Sequence, residues 1–210
     1  MTATIDTSLL AAMAILPVPG VLLGHRVIQP GDERGLMAQE APVFAAAVEK
    51  VRRASGAARI VARELLAQLG HPGWPVLKGA AGAPIWPSGV AGSLAHDDRV
   101  AIAAVANRDQ VAAVGIDIEP AELLPADLLE LVTTPPERAR IADDPYRGRL
   151  LFVAKEAVYK AVYPLDHTFL EHHDVEVSLA DRRARLRGGR TVELRFCLSS
   201  HLVVLAFVRA

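Results

Sequence analysis

The sequence predicts an α+β fold made of two helix-and-strand halves. Three observations support it: a helical segment at 41–70, apolar strand-like runs after it, and a second helix at 145–163 that precedes further strand-like runs. A joint rich in proline and leucine at 120–136 separates the two series. We therefore expect an N-terminal half over 1–113 and a C-terminal half over 114–210, packed as one unit with a ligand crevice between them.

Composition argues against several classes of protein. The 210 residues are 51% apolar, enough for a substantial core, and the net charge of −1 argues against a broad basic surface for nucleic acid. The single cysteine, Cys197, excludes an internal disulfide and is expected to be buried. Residues 1–20 lack a basic segment, and no apolar run is long enough to span a membrane, so we expect a cytoplasmic protein.

The first half is expected to begin irregularly and then form a helix. Residues 1–40 contain several prolines and glycines, which predicts loops. The helix at 41–70 has Pro42 near its start and Gly70 as its C-terminal cap. Gly56 weakens its middle by about 1 kcal/mol relative to alanine, so the helix is either continuous or broken there.

Three arginines of this helix are spaced to share one face, for which a solvated surface is the simplest interpretation. They are Arg52, Arg59 and Arg63. Turn-forming residues fill 73–92, and strand-like runs follow at 100–106 and 111–118. Both runs are almost continuous in apolar residues, which is typical of central strands.

The second half is expected to start with a helix and end in strands. Asp144 can cap the helix, Pro145 suits its first position and Pro164 should end it. Its buried stripe is predicted to contain Leu150, Leu151, Ala154, Ala157, Val158, Ala161 and Val162. Strand candidates follow at 174–179, 183–187, 190–197 and 201–208, with a hairpin turn at Gly188-Gly189.

The face of this helix opposite the stripe combines two aromatic residues with three charged ones. They are Phe152, Lys155, Glu156, Tyr159 and Lys160. The spacing of Glu156 and Lys160 is also that of an ordinary exposed pair, which contributes about 0.2–0.5 kcal/mol. Because a solvated face seldom mixes large aromatics with charges, a cleft or an interface is an equally good interpretation.

Asp117 and Glu119 lie two residues apart in a strand-like run, so both carboxylates project from the same face. They repel each other unless a cation lies between them, and oxygen ligands of this kind favour magnesium. Glu156 could be a third ligand. An edge strand with a solvated acidic face is the alternative interpretation.

His96 follows a Gly92-Ser93 turn just before the next predicted strand. A lone histidine is more often structural than functional. Beside a phosphate, however, it could donate a hydrogen bond or carry positive charge.

Two short stretches together resemble the signatures of the 4′-phosphopantetheinyl transferases, of the surfactin-synthetase/enterobactin type. GIDIEP at 115–120 resembles the first signature and FVAKEAVYKA at 152–161 the second, in the expected order and with a histidine upstream. Residues 52–63, 75–96 and 159–165 resemble the actinobacterial branch of this family. The resemblance covers most of the fold.

This resemblance implies two similar α+β halves related by a pseudo-two-fold axis, with coenzyme A bound between them. It also implies that Asp117, Glu119 and Glu156 hold a magnesium ion. The residues that it implies for coenzyme A are Arg52, Arg59, Lys78, His96, Lys155 and Lys160. Among these, Lys78 and the arginines would meet the 3′-phosphate and adenine end. The implied catalytic residues are Glu156, Lys160 and His96.

The implied reaction transfers 4′-phosphopantetheine from coenzyme A to a serine of an apo acyl or peptidyl carrier protein and releases 3′,5′-ADP. Either Glu156 or a metal-bound water would accept the serine proton. The carrier would contact an apolar surface near the helix at 145–163 and the joint at 120–136. The candidates are Leu123, Leu124, Leu128 and Leu131, for which core packing is an equally good interpretation. Because one chain contains both halves, a monomer is sufficient.

Two other functions stay open at this point. One is a divergent, non-catalytic module that binds coenzyme A or a carrier protein. The other is an unrelated magnesium-dependent phosphoesterase, which would need no carrier surface.

Overall fold

The N-terminal half is a three-stranded antiparallel sheet covered by one long helix. The computed structural model describes residues 6–141 and 144–210. The elements of this half are α1 (Thr7–Met13), β1 (Val21–Val27), α2 (Glu49–Gln68), β2 (Leu77–Lys78), β3 (Pro84–Ile85), β4 (Val90–His96) and β5 (Val100–Asn107). The order of the sheet is β1-β5-β4, and β2 and β3 form a separate short hairpin.

The C-terminal half is a five-stranded antiparallel sheet, also covered by one long helix. Its elements are β6 (Val111–Pro120), α3 (Ala126–Val132), α4 (Pro135–Arg138), α5 (Arg147–Asp166), β7 (Val175–Ser178), β8 (Arg183–Leu186), β9 (Thr191–Leu198) and β10 (His201–Arg209). The strand order is β6-β10-β9-β8-β7. Within the described part of the chain, no helix has the length and apolar character needed to cross a bilayer.

The two sheets lie face to face and the two long helices lie outside them. Ile102 on β5, Ile116 on β6 and Phe207 on β10 belong to one buried cluster between the sheets. Their neighbours point the other way: Ala103 packs with α2, and Ala206 packs with α5. The predicted α+β class is confirmed, although the main sheet has three strands in one half and five in the other. The boundary between residues 113 and 114 stays a prediction, and it falls within β6.

Gly115 on β6 brings the backbone of α5 unusually close to the sheet. A Cβ atom at this position would lie 2.0 Å from the carbonyl oxygen of Ala157 and 2.5 Å from the backbone nitrogen of Ala161. Both helical residues are fully buried alanines. The strand and the helix therefore touch backbone to backbone, which is possible only with small residues on both sides.

Several predictions for the N-terminal half were wrong. Residues 1–40 were expected to be irregular, but they contain α1 and β1, because β1 pairs with β5 far along the chain. The helix expected at 41–70 is a short 3₁₀ turn at Ala41–Phe44 followed by α2. It continues through Gly56, where a Cβ would lie 2.0 Å from the carbonyl oxygen of Asp32. His96 ends strand β4 and does not follow a turn.

The ends of α5 also differ from the prediction. The Asp144 side chain accepts a hydrogen bond from the backbone N–H of Tyr146 at 2.9 Å, and the helix begins only at Arg147. Pro164 does not end the helix, which runs on to Asp166. A proline there removes only the hydrogen bond to the Lys160 carbonyl, and the last turn tolerates that loss. The joint at 120–136 contains α3 and the start of α4.

Replacing Gly115 by alanine should lower the free energy of unfolding by about 1–3 kcal/mol, because the added methyl group forces α5 away from β6. Urea denaturation measures this change. Gly188→Ala is the matched control, since a Cβ there meets no atom within 4 Å, and its effect should stay below about 1 kcal/mol. Equal stability of Gly115→Ala and the wild type would contradict the close approach.

Candidate active site

A cleft of about 440 Å³ lies where α2, β4 and the β2–β3 hairpin meet α5. Five residues predicted from the sequence line it, namely Arg59, Lys78, His96, Glu156 and Lys160. A larger cavity of about 1050 Å³ lies beside β7 and β8, and none of the predicted site residues lines it. Because charged residues from both halves meet in the smaller cleft, it is the better candidate for a ligand site.

Lys160 on α5 reaches across to Asp117 on β6. Its Nζ atom donates a hydrogen bond to Asp117 Oδ1 at 2.6 Å. Only 6% of Asp117 is exposed. Burial raises the pKa of Asp117, and the ammonium group of Lys160 opposes that rise. In this state Lys160 acts as the counterion of a buried carboxylate.

Glu119 and Glu156 belong to the same electrostatic neighbourhood as Asp117. Burial raises the pKa of each glutamate, and the negative charge of Asp117 raises both further. Each also has a weak partner: Arg149 Nη1 lies 3.5 Å from Glu119 Oε2, and His172 Nε2 lies 3.9 Å from Glu156 Oε1. Asp117 thus repels both glutamates, and the spacing on β6 predicted this repulsion for Glu119.

The three carboxylates have the right chemistry for magnesium but are not gathered into a preformed shell. In residues 6–141 and 144–210, no group of three His, Cys, Asp or Glu side chains is close enough to hold a metal. One oxygen of Asp117 is occupied by Lys160. Hard oxygen donors of this kind suit a hard divalent cation. To bind one with all three groups, the side chains must move closer together.

His96 at the end of β4 faces solvent in the cleft. Desolvation by the surrounding protein atoms lowers the pKa of His96, and the positive charge of Lys160 lowers it further. A neutral imidazole is therefore favoured near neutral pH. The next residue, Asp97, lies 2.8 Å from Nε2 of the buried His201 on β10, which ties the turn after His96 to the C-terminal half.

Arg59 is a cleft residue, so a solvated surface was the wrong interpretation for it. Only 6% of Arg59 is exposed, and its guanidinium lies 4.6 Å from the centre of the Phe44 ring. It donates to the carbonyl oxygen of Val76 at 2.9 Å. The buried Glu40 supports this region by accepting hydrogen bonds from Arg63 at 2.9 Å and from the Val76 backbone N–H at 2.8 Å.

Two predicted coenzyme A residues do not line the cleft. Arg52 is half-buried and donates to the Ala47 carbonyl oxygen. Lys155 was expected on the polar face of its helix, and that placement was wrong because only 1% of its side chain is exposed. Its ammonium group points into the protein, where Glu137 accepts a hydrogen bond from it at 2.7 Å.

The structure also brings residues to the cleft that the sequence did not predict for a ligand site. They include Phe44, Ser55, Ser93, Tyr163 and Pro164. Most of them are small or apolar and carry no signal of their own. Ser93 Oγ accepts a hydrogen bond from the Ile116 backbone N–H at 3.0 Å, which joins β4 to β6 beside the carboxylates.

Two family models match this chain in succession. The model of the 4′-phosphopantetheinyl transferase N-terminal domain matches residues 39–106. The model of the 4′-phosphopantetheinyl transferase superfamily matches residues 113–206. Together they span both halves, and the second contains the carboxylates of β6 and the charged residues of α5.

Three curated proteins are similar over most of the chain. The 4′-phosphopantetheinyl transferase Npt of Nocardia iowensis is 42% identical over 78% of this chain and 74% of its own. PptT of Mycobacterium tuberculosis is 41% identical over 70% of this chain and 67% of its own. Svp of Streptomyces mobaraensis is 41% identical over 79% of this chain and 70% of its own. A solved holo-[acyl-carrier-protein] synthase of Thermotoga maritima is 18% identical over 46% of this chain and 62% of its own, with a TM-score of 0.37.

Replacing Lys160 by methionine should raise the pKa of Asp117 further, because Lys160 opposes the effect of burial. The variant should lose stability relative to the wild type, and the loss should grow as pH rises through the raised pKa, since the buried carboxylate then ionises without a partner. Carboxyl NMR titration and urea denaturation measure the two effects.

Lys50→Met is the matched control for this variant. It breaks an ion pair between Lys50 and Asp98 whose side chains are 66% and 74% exposed. Its effect on stability should stay below about 1 kcal/mol, with no change at Asp117. An unchanged pKa of Asp117 in Lys160→Met would show that the ion pair does not form in solution.

Proposed function

Because this chain belongs to the 4′-phosphopantetheinyl transferase family, we propose that it transfers the 4′-phosphopantetheine arm of coenzyme A to a serine of an apo acyl or peptidyl carrier protein, with release of 3′,5′-ADP. The observation that carries the proposal is the cleft between the halves. It joins Glu156 and Lys160 of one signature to His96 and Arg59 of the other half. Through Lys160 it also reaches Asp117 of the other signature.

The charge pattern of the cleft suits coenzyme A, which carries a pyrophosphate and a 3′-phosphate. Arg59, Lys78 and Lys160 supply positive charge, and Phe44 and Tyr159 supply apolar surface. We assign Arg59 and Lys78 to the 3′-phosphate and adenine end and His96 and Lys160 to the pyrophosphate. The burial of Arg59 supports this assignment, because a partly desolvated cation binds a phosphate more strongly than a solvated one.

We assign the proton-accepting role to Glu156. Its raised pKa makes it a better proton acceptor than an ordinary glutamate. The serine oxygen forms a bond to the β-phosphorus of coenzyme A, the bond from that phosphorus to the 3′,5′-ADP oxygen breaks, and the serine proton passes to Glu156. Lys160 neutralises charge on the leaving 3′,5′-ADP, and a neutral His96 donates a hydrogen bond to a phosphate oxygen.

Magnesium would be held by Asp117, Glu119 and Glu156, and it would supply positive charge at the pyrophosphate. Its binding would free Lys160 from Asp117, because the metal replaces the ammonium group as counterion. The role of Glu156 as proton acceptor requires that at least one of its carboxylate oxygens stays free of the metal. Arg52 and Lys155 have no direct contact with coenzyme A in this proposal.

A second cleft, of about 480 Å³, opens on the other side of Glu156 and Tyr159. We propose that the carrier serine approaches through it. Three of the four leucines predicted for carrier contact are exposed in the joint at 120–136. Their exposed fractions are 59% for Leu123, 36% for Leu128 and 63% for Leu131. Leu124 packs partly into the core instead. Phe169, at 71% exposed, adds to the apolar rim.

The cytoplasmic location, the monomeric state and the absence of nucleic-acid and membrane partners stay predictions from the sequence. Size-exclusion chromatography with light scattering decides the oligomeric state.

Incubating the chain with coenzyme A, magnesium and an apo carrier protein tests the proposed reaction. The intact mass of the carrier should rise by one phosphopantetheine arm. Binding of coenzyme A without a mass gain would favour a non-catalytic module, and cleavage of coenzyme A without carrier would favour a phosphoesterase.

Glu156→Ala should abolish this mass gain and leave the fold intact, because the proton acceptor is lost from a half-buried surface position. Circular dichroism checks the fold and the carrier mass checks the activity. Glu64→Ala, at an exposed glutamate on α2, is the control and should retain activity. Transfer at the wild-type rate by Glu156→Ala would refute the assignment.

Asp117→Ala should weaken the magnesium dependence, because one oxygen ligand is removed. A titration of initial rate against magnesium concentration should shift to higher concentrations. An unchanged titration would remove Asp117 from the metal site.

A further inference from the structure

The ammonium group of Lys155 lies inside the protein and holds three segments together. Its Nζ atom donates hydrogen bonds to the carbonyl oxygens of Val132 and His172, both at 2.8 Å, and to Glu137 Oε2 at 2.7 Å. These acceptors come from the end of α3, from the 3₁₀ turn at His172–Asp174 and from α4. All three donor positions of the lysine are therefore used by the fold.

Glu137 is the centre of the same network. Only 2% of it is exposed. Besides Lys155, its carboxylate accepts hydrogen bonds from the backbone N–H of Val177 on β7 at 2.7 Å and from the backbone N–H of Thr134 at 2.7 Å. One carboxylate and one ammonium group thus join α3, α4, α5, β7 and the turn at His172–Asp174.

Of these segments, α3, β7 and the turn at His172–Asp174 contribute to the second cleft and not to the first, whereas α5 borders both. The residues that line the second cleft include Leu131, Phe169, Leu170, His172 and Val175, together with Lys155 and Glu156 of α5. The same network places the His172 ring 3.9 Å from Glu156 and 5.7 Å from the ring of Phe152. Neither Glu137 nor Lys155 lines the cleft assigned to coenzyme A.

We propose that Glu137, acting through Lys155, is a positioning residue for the carrier serine: it fixes the wall of the second cleft relative to Glu156. This inference rests on the proposed function, since it assigns the second cleft to the acceptor. An ion pair buried this deeply adds little net stability over apolar packing. The hydrogen bonds of the pair instead hold the joined segments in a single arrangement.

The position of the pair predicts a selective effect. Loss of either charge leaves its partner buried without a counterion, and the segments that the pair joins must rearrange. The carrier serine then approaches Glu156 in a less favourable geometry, which costs about 10- to 100-fold in rate. Coenzyme A, bound in the first cleft, should be unaffected.

Steady-state kinetics with coenzyme A and an apo acyl carrier protein test the proposal in Glu137→Gln and Lys155→Met. In both variants kcat/KM for the carrier should fall about 10- to 100-fold, while KM and Kd for coenzyme A change less than about twofold. Calorimetry measures coenzyme A binding without catalysis. If Lys155→Met does not fold, Glu137→Gln carries the test, since its amide oxygen can still accept from the Val177 N–H.

Asp32→Asn is the control for a purely structural effect. It breaks another buried ion pair, in which Arg26 Nη2 lies 2.8 Å from Asp32 Oδ1. It should lower the melting temperature without a carrier-selective loss.

Equal losses toward coenzyme A and carrier, or no loss toward the carrier, would overturn the inference. A wild-type chain that never modifies the carrier would instead refute the proposed function itself.

Discussion

The backbone contact between α5 and β6 is the constraint on which the candidate site depends. At Gly115 the strand has no side chain, and at Ala157 and Ala161 the helix has only methyl groups, so the two backbones meet directly. The same strand carries Asp117 and Glu119, and the same helix carries Glu156 and Lys160. Any side chain inserted at Gly115 would separate the groups that have to meet.

The charges that this contact brings together do not balance by themselves. Three carboxylates share one neighbourhood: burial raises the pKa of each, and the charge of Asp117 raises the pKa values of Glu119 and Glu156 further. Lys160 neutralises the most buried of them through a direct hydrogen bond. A divalent cation would satisfy the same need more completely, and Lys160 would then become available to a phosphate group. The ion pair between Lys160 and Asp117 accounts for why the Asp117 carboxylate can be buried before any ligand binds.

The sequence predicted the parts of the molecule whose signals are local. Short-range periodicity predicts the strands around 100–106 and 111–118 and the long helix. It also predicts that Asp117 and Glu119 share one face of a strand. It failed where the deciding partner is distant. Strand β1 exists because β5 pairs with it, and Lys155 is buried because Glu137, 18 residues before it, offers a buried carboxylate. A helical wheel placed Lys155 opposite the apolar stripe, and it cannot identify a partner outside the helix.

The structure of the chain bound to coenzyme A and magnesium tests the central claim most directly. The account predicts that the pyrophosphate lies in the cleft between His96 and Lys160, and that Lys160 Nζ has left Asp117 Oδ1, from which it is 2.6 Å away in the free chain. Coenzyme A bound outside this cleft, with the ion pair between Lys160 and Asp117 intact and no metal on the three carboxylates, would contradict it.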